Sequence, residues 1–115
     1  MRVSYQTATI ASSGTTSGAV STGIIGTENT QLMGLEFPAA MTGTSMTFTG
    51  SRSSDGTYVT ITEVGGASNY SITVAASKFV PVDPRVFATF PFIKLVSGSA
   101  EGADRSIVVH SRPVV

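Results

Sequence analysis

The stretch that most limits the fold of this chain is residues 46–64, MTFTGSRSSDGTYVTITEV. Apolar Met46 and Phe48 alternate with polar residues, the pattern stops at Ser53-Ser54-Asp55-Gly56, and a second alternating run follows. Asp-Gly is a strong turn signal, because glycine adopts a positive φ without strain and aspartate can bond its own backbone. The pattern therefore predicts an antiparallel β-hairpin.

Composition favours an all-β fold for the rest of the chain. Threonine suits strands, serine and glycine suit turns, and all three crowd the segments between apolar runs. The spacing of an amphipathic helix is missing from the sequence, and strong helix formers are scarce. A length of 115 residues fits a single domain, 1–115, with one core.

Alternation predicts about eight strands, at residues 5–10, 17–25, 31–37, 46–50, 58–64, 70–74, 92–96 and 106–112. In the fifth of these, we expect Val59 and Ile61 to face the core. Strand 31–37 is apolar on both faces, so we expect it in the middle of a sheet. Pro81 confines the short extended piece 78–82 to an edge or a strand end. Asp83 is expected to cap one helical turn near 84–88 that plugs the core.

So many short strands in a cysteine-free chain predict two packed antiparallel sheets. A jelly-roll-like sandwich is the expected architecture. Another Greek-key order is the alternative, since periodicity does not give the strand order.

Several classes of function are not supported by these residues. The absence of cysteine excludes disulfides and thiolate metal sites. The seven basic residues are dispersed and balanced by seven acids, so nucleic-acid binding is not expected. No apolar run approaches the length of a membrane span, and no signal peptide is predicted. His110 is the only histidine, and we expect no catalytic residue, metal or cofactor.

Apolar residues exceed what one core can bury. Charged residues make up only 12% of the chain, about half of the usual quarter. The strands at 92–96 and 106–112 are apolar on both faces, and a two-layer sandwich buries only one face of each sheet. Four residues are therefore predicted to form a self-association interface: Phe92, Val96, Val108 and His110. The alternative is a closed barrel with a bulge that buries both faces.

Short motifs along nearly the whole chain resemble a group of small tailed-bacteriophage virion proteins. The motifs are Thr7-Ala8-Thr9-Ile10, Ser17-Gly18, Pro38-Ala39, Met46-Thr47-Phe48, Asp55-Gly56, Ala75-Ala76-Ser77, Asp83-Pro84, Phe92-Ile93-Lys94-Leu95, Asp104-Arg105 and Arg112-Pro113-Val114.

The resemblance implies a non-enzymatic structural protein of the virion, first of all a capsid decoration (cement) protein. Its implied partners are other copies of itself, with a homotrimer as the first expectation, and the major capsid protein or other virion proteins. Its implied location is the capsid surface, after assembly in the host cytoplasm. The alternative within the same group is a neck, tail or head-fibre subunit.

A second similarity is to discoidin-like carbohydrate-binding sandwiches, through the turn at Ser54-Asp55-Gly56 and the strand at 92–95. It implies a sugar-stacking site, for which Tyr58 and Tyr70 are the candidates. The chain has no tryptophan and three tyrosines, so we rank this function second.

Overall fold

The structure, a computed structural model, describes residues 4–22, 30–87 and 90–113. Within them it has nine strands and one helical turn: β1 (Ser4–Ile10), β2 (Val20–Ser21), β3 (Thr30–Glu36), β4 (Ser45–Ser51), β5 (Val59–Thr60), β6 (Ser71–Thr73), β7 (Phe79–Pro81), α1 (Pro84–Phe87), β8 (Phe92–Ser97) and β9 (Arg105–Pro113). The predicted second strand extends to residue 25, and its residues 23–25 lie outside the described part, as does residue 88 of the predicted helical turn.

The strands form two antiparallel sheets, which confirms the predicted all-β sandwich. The four-stranded sheet has the order β1-β9-β3-β7. The five-stranded sheet has the order β2-β8-β4-β5, with β6 also pairing with β4. Strand β3 is central in its sheet and β7, with Pro81, is at an edge, as predicted. Because the strands divide into two sheets, the closed-barrel alternative is wrong.

The strand order is that of a jelly roll. Strand β1 pairs with β9, β2 with β8, β3 with β7, and β4 with β5 and β6. These are the nested pairs of one long hairpin. Additional pairs, β3 with β9 and β4 with β8, join them into the two sheets. The expected jelly-roll-like sandwich is therefore confirmed. Strands β5 and β6 both pair with β4, and β7, expected only as a short extended piece, is added to the eight predicted strands.

The core lies between the sheets and follows the alternation of the strands. In β8 and β9 every second residue is buried: Ile93, Leu95 and Ile107 are 0% exposed. Helical turn α1 closes the core, because Phe87 is 1% exposed and its ring meets that of Phe48 at a centroid distance of 4.9 Å. Fully burying each such side chain contributes about 1.5–3 kcal/mol.

The hairpin around residues 46–64 forms as predicted, with two corrections. Gly56 does not have the positive φ expected of it. A Cβ on Gly56 would instead lie 2.6 Å from Oγ of Ser53 and 2.7 Å from Oγ of Ser51, so a side chain here would require these hydroxyl groups to move. Ile61 is buried at 3%, whereas Val59 is 53% exposed, contrary to prediction. The Phe90 ring, rather than Val59, covers the neighbouring β4 backbone.

Candidate functional site

The four residues predicted to form one interface lie on two separate surfaces. Val108 and His110 are on the outer face of the four-stranded sheet, because the residues between and beside them in β9 point into the core. Phe92 and Val96 are on the outer face of the five-stranded sheet for the same reason. The core separates these faces, so one flat contact does not include all four residues.

The outer face of the four-stranded sheet carries an aromatic row made of Tyr5, His110 and Phe79. Tyr5 in β1 is paired directly with His110 in β9, and their ring centroids are 4.9 Å apart with the planes at 87°. Phe79 in β7 approaches His110 from the other side, with centroids 5.0 Å apart and the planes at 76°. Such edge-to-face contacts order the three rings across four strands. Tyr5 is 65% exposed and Phe79 48%.

Gly34 in β3 makes room for the row. A Cβ on Gly34 would lie 2.4 Å from Cζ of Phe79 and 2.9 Å from the backbone oxygen of Val80. The Phe79 ring therefore lies directly over the β3 backbone, which lets it cross β3 and reach His110 in β9.

Glu36 completes the surface by holding the histidine. Nε2 of His110 lies 3.0 Å from Oε1 of Glu36, which is beside Val108 in the register between β3 and β9. The side chain of His110 is 17% exposed and that of Glu36 is 56% exposed. The histidine is thus fixed by two rings and one carboxylate in the middle of an otherwise accessible surface.

Sequence reasoning found His110 and Val108 but missed Tyr5, Phe79 and Glu36. These residues are distant in sequence, and the register that joins them depends on a bulge in β3 between Leu32 and Gly34. One signal was available, because a glycine inside an apolar strand often marks a close approach.

The outer face of the five-stranded sheet is more polar. Phe92 and Val96 in β8 are separated by Lys94, and Val96 is paired with Thr47 of β4. Lys94 Nζ lies 4.4 Å from the centroid of the Tyr58 ring. A cation–π contact of this kind occupies one face of that ring. Phe92 and Val96 are partly buried, so this face offers less accessible apolar surface than the aromatic row.

The two tyrosines considered for sugar stacking do not form one platform. Tyr58 lies over the five-stranded sheet, where Lys94 covers one face of its ring. Tyr70 belongs to the core region, because its ring contacts those of Phe48 and Phe87 at centroid distances of 5.8 Å and 5.6 Å. A stacking site would therefore have to use Tyr58 without Tyr70.

Glu101 is the most buried charged group among the described residues, at 1% exposure. Its carboxylate accepts hydrogen bonds from the backbone N–H groups of Thr42 (2.8 Å) and Gly43 (2.9 Å) and from Oγ of Ser97 (2.7 Å). Nε of Arg105 donates to it at 3.0 Å. Four hydrogen-bond donors therefore surround the carboxylate, and one of them, Arg105, is positively charged.

The pKa of Glu101 reports this environment. Burial alone raises the pKa, but the hydrogen bonds from Ser97, Thr42, Gly43 and Arg105 together lower it to about 2. Shifted carboxyl groups often mark catalytic sites. Here the pKa is lowered by hydrogen-bond donors that occupy the carboxylate oxygens. These hydrogen bonds join the loop after β8, which carries Glu101, to the loop before β4. The group is therefore arranged as a structural crosslink.

Two exposed aliphatic residues, Val59 and Val64, line open grooves next to Phe90. The charged residues that line these grooves, Arg52 in one and Glu63 and Arg85 in the other, are exposed to water. Two valines present less apolar surface than two aromatic rings. The grooves are a weaker candidate than the aromatic row.

Within residues 4–22, 30–87 and 90–113, no group of three or more His, Asp or Glu side chains is placed to hold a metal ion. In the same part of the chain, no helix is long and apolar enough to cross a membrane. The aromatic row is the surface with the most distinctive chemistry.

Comparison with known proteins adds no relative. No family model, no curated protein and no solved structure matches this chain. A proposal of function therefore rests on the surface of the protein and on the resemblance of its sequence motifs.

Proposed function

We propose that this chain is a non-enzymatic structural protein of a tailed-bacteriophage virion, most simply a capsid decoration protein, that binds other protein surfaces through its aromatic row. The observation that carries the binding role is the exposure of Tyr5 and Phe79 on either side of His110. The assignment to a virion rests on the sequence resemblance.

The composition of the row suits a protein contact. Tyrosine and phenylalanine are enriched at the centres of protein interfaces, where they supply large rigid surfaces at a small entropic cost. The rings are already ordered by contacts within the sheet, so little further ordering is needed on binding. A surface of this kind is preorganised for binding.

The titratable groups support a non-enzymatic role. All the hydrogen-bond donors around Glu101 fix it within the fold. His110 is held between two rings and a carboxylate, in a position that orders an interaction surface. Oγ of Ser97 lies beside the Glu101 carboxylate, but both residues are buried, at 3% and 1% exposure, so this hydroxyl is not open to a substrate as a hydrolytic nucleophile must be.

The proposed partners are another copy of the chain and the major capsid protein. A decoration protein stabilises a shell by covering joints between shell subunits, and association between copies lets it do so with several contacts at once. The resemblance implies a threefold assembly, which competes with the twofold pair that the charge pattern of the sheet favours, and the oligomeric state in solution decides between them.

Cryo-EM of virions from the phage that carries this gene tests the assignment, with mass spectrometry of the same particles. We expect the chain to be a stoichiometric component with density on the head surface. Density at the neck, tail or a head fibre would replace the decoration role. Absence of the chain from purified virions would overturn the proposal.

A glycan array tests the sugar-binding alternative. We expect no specific signal from the wild-type protein. Binding that disappears in Tyr58→Ala, with an unchanged circular dichroism spectrum, would replace the structural role by carbohydrate recognition. Tyr70→Ala does not make this test, because it removes a ring that contacts the core.

A further inference from the structure

We propose that the outer face of the four-stranded sheet binds a second copy of this chain face to face across a twofold axis that runs along the aromatic row. In this pair, Arg112 of each copy meets Glu36 of the other. The inference takes from the proposed function only that the aromatic row is a binding surface, and it does not depend on the virion assignment.

The register fixes where the charges lie on this face. Tyr5, His110 and Gly34 form one line across the sheet. Arg112 is two residues from His110 along β9 in one direction, and Val108, with its neighbour Glu36, is two residues away in the other. The positive and negative ends are therefore each about 7 Å from the aromatic row, on opposite sides.

Such an arrangement is complementary to itself. Such a pair has a twofold axis that lies between the two stacked sheets and runs across their strands, along the aromatic row. Rotation about this axis makes the β9 strands of the two copies antiparallel. It places Arg112 of one copy over Val108 and Glu36 of the other, while the aromatic rows stack on each other. Packed sheets are about 10 Å apart, a gap that an arginine and a glutamate side chain can close together.

The other simple stacking is disfavoured by charge. A twofold axis that passes over β9 and runs parallel to it would leave the β9 strands of the two copies parallel. It would place Arg112 of one copy over Arg112 of the other. Like charges placed together at an interface oppose binding. The charge pattern therefore selects the axis along the aromatic row.

Arg112 has the freedom that this contact needs. It is exposed, and none of the ion pairs among the described residues includes it. Glu36 is 56% exposed, and one of its oxygens contacts His110. Its second oxygen can accept a charge-assisted hydrogen bond from a guanidinium N–H.

The size of the face sets the expected affinity. Strands β1 and β3 are 7 residues long and β7 has 3 residues. With seven residues of β9 facing them and strands spaced about 4.8 Å apart, the footprint is about 400 Å² per copy. Two such footprints, about 800 Å², fall below the usual size of a stable interface, so a dissociation constant in the micromolar range or weaker is expected. Association should therefore be followed up to several hundred micromolar.

Charge reversal tests the contact between Arg112 of one copy and Glu36 of the other, measured by sedimentation equilibrium at low salt. The variants are Glu36→Arg, Arg112→Glu and the double variant that carries both. Each single reversal places like charges together twice in the pair and should weaken association by about tenfold or more. The double variant restores opposite charges and should return to within about threefold of wild type.

Two further variants serve as controls for the charge reversals. Tyr5→Ser removes an exposed ring of the row without changing charge, and it should also weaken association. Phe92→Ser lies on the opposite outer face and should leave association unchanged. Circular dichroism establishes that each variant is folded, and any unfolded variant is replaced by the milder Glu36→Gln or Arg112→Gln.

A wild type that stays monomeric at the highest concentration overturns the pair, and so does a wild type that forms a trimer. A double variant that associates as weakly as the single ones overturns the Arg112–Glu36 contact. The virion experiment separates this inference from the proposed function. A chain that is found in virions but is monomeric in solution overturns only the pair, and a dimer that is absent from virions overturns only the virion role.

Discussion

At the scale of single residues, Glu101 shows a charge buried for structural reasons. Its hydrogen bonds join the loop before β4 to the loop after β8. Its backbone also binds the loop after β1, through N–H of Ser13 to its carbonyl (2.7 Å) and its own N–H to the carbonyl of Gly14 (2.9 Å). One residue therefore holds three loops at the same end of the sandwich.

Replacing this carboxylate should destabilise the fold. We expect Glu101→Gln to lower the free energy of unfolding by about 2–4 kcal/mol at pH 7, because one acceptor oxygen becomes an amide donor and Arg105 loses its partner. Urea unfolding of both proteins measures the difference. A loss below about 0.5 kcal/mol would show that the crosslink contributes little.

The same residue should produce a pH dependence with a known sign. The pKa of Glu101 falls from its ordinary 4.5 to about 2 on folding. Its contribution is therefore complete above pH 4.5 and is lost as the pH falls towards 2, in total about 3 kcal/mol. Urea unfolding at pH 7, 4.5 and 2.5 should show the wild type converging on Glu101→Gln in acid. A difference in unfolding free energy between wild type and Glu101→Gln that stays the same at all three pH values would contradict this.

Gly34 should be intolerant of a side chain. In Gly34→Ala the new Cβ meets the Phe79 ring and the Val80 carbonyl, so either the ring or the strand must move, at a cost of about 1–3 kcal/mol. Gly18→Ala is the matched control, because nothing lies within 4 Å of its added Cβ. Thermal unfolding of the two variants should separate them by several degrees. Equal midpoints would mean that the ring moves away freely.

At the scale of elements, β9 is the strand on which core and surface meet. Ile107 and Val109 point into the core, at 0% and 1% exposed, while Val108 and His110 point outwards beside Tyr5 and Glu36. Because side chains alternate, a substitution at 108 changes the outer face and leaves the core side of the strand intact.

Val108→Lys should therefore separate association from folding. In the proposed pair Arg112 of the other copy lies over Val108, so a lysine at this position places two positive charges together in the contact, which should weaken association by about tenfold or more. Val96→Lys, on the outer face of the other sheet, is the matched control and should associate like wild type. Sedimentation at equal concentration, with circular dichroism, compares the three proteins. A folded Val108→Lys that associates normally would remove the four-stranded sheet from the interface.

At the scale of the whole molecule, the jelly roll pairs the first and last strands of the described part of the chain. Strand β9 is paired with β1 on one side and β3 on the other, so the four-stranded sheet is incomplete until the last strand is present. Pairs so distant in sequence must close long loops before they gain any contact energy, which makes such folds slow to form.

Two measurements follow from this topology. Refolding of the intact chain, followed by stopped-flow fluorescence of its tyrosines, should take milliseconds to seconds rather than microseconds. A chain that ends before residue 105 should not fold, because β1 and β3 lose the strand between them. A cooperative unfolding transition in the truncated chain would contradict the central role of β9.

The sequence by itself determined the features that depend on neighbouring residues. Alternation located every strand except β7, which was expected only as a short extended piece, since a strand has a fixed period of two. Asp83 and Pro84 located α1 through capping, a local hydrogen bond that the structure shows from N–H of Arg85 to Oδ1 of Asp83 at 3.0 Å. The Asp-Gly turn located the hairpin.

Only the tertiary structure decided how distant residues meet. Local patterns do not encode register between strands, so they placed Phe92 and His110 in one interface although opposite sheets carry them. For the same reason the sequence did not predict the contacts of Tyr5 and Phe79 with His110. It also predicted that Val59 faces the core, whereas Val59 is exposed. Register is set by the complete sheet and by the bulge in β3, which are global properties of the fold.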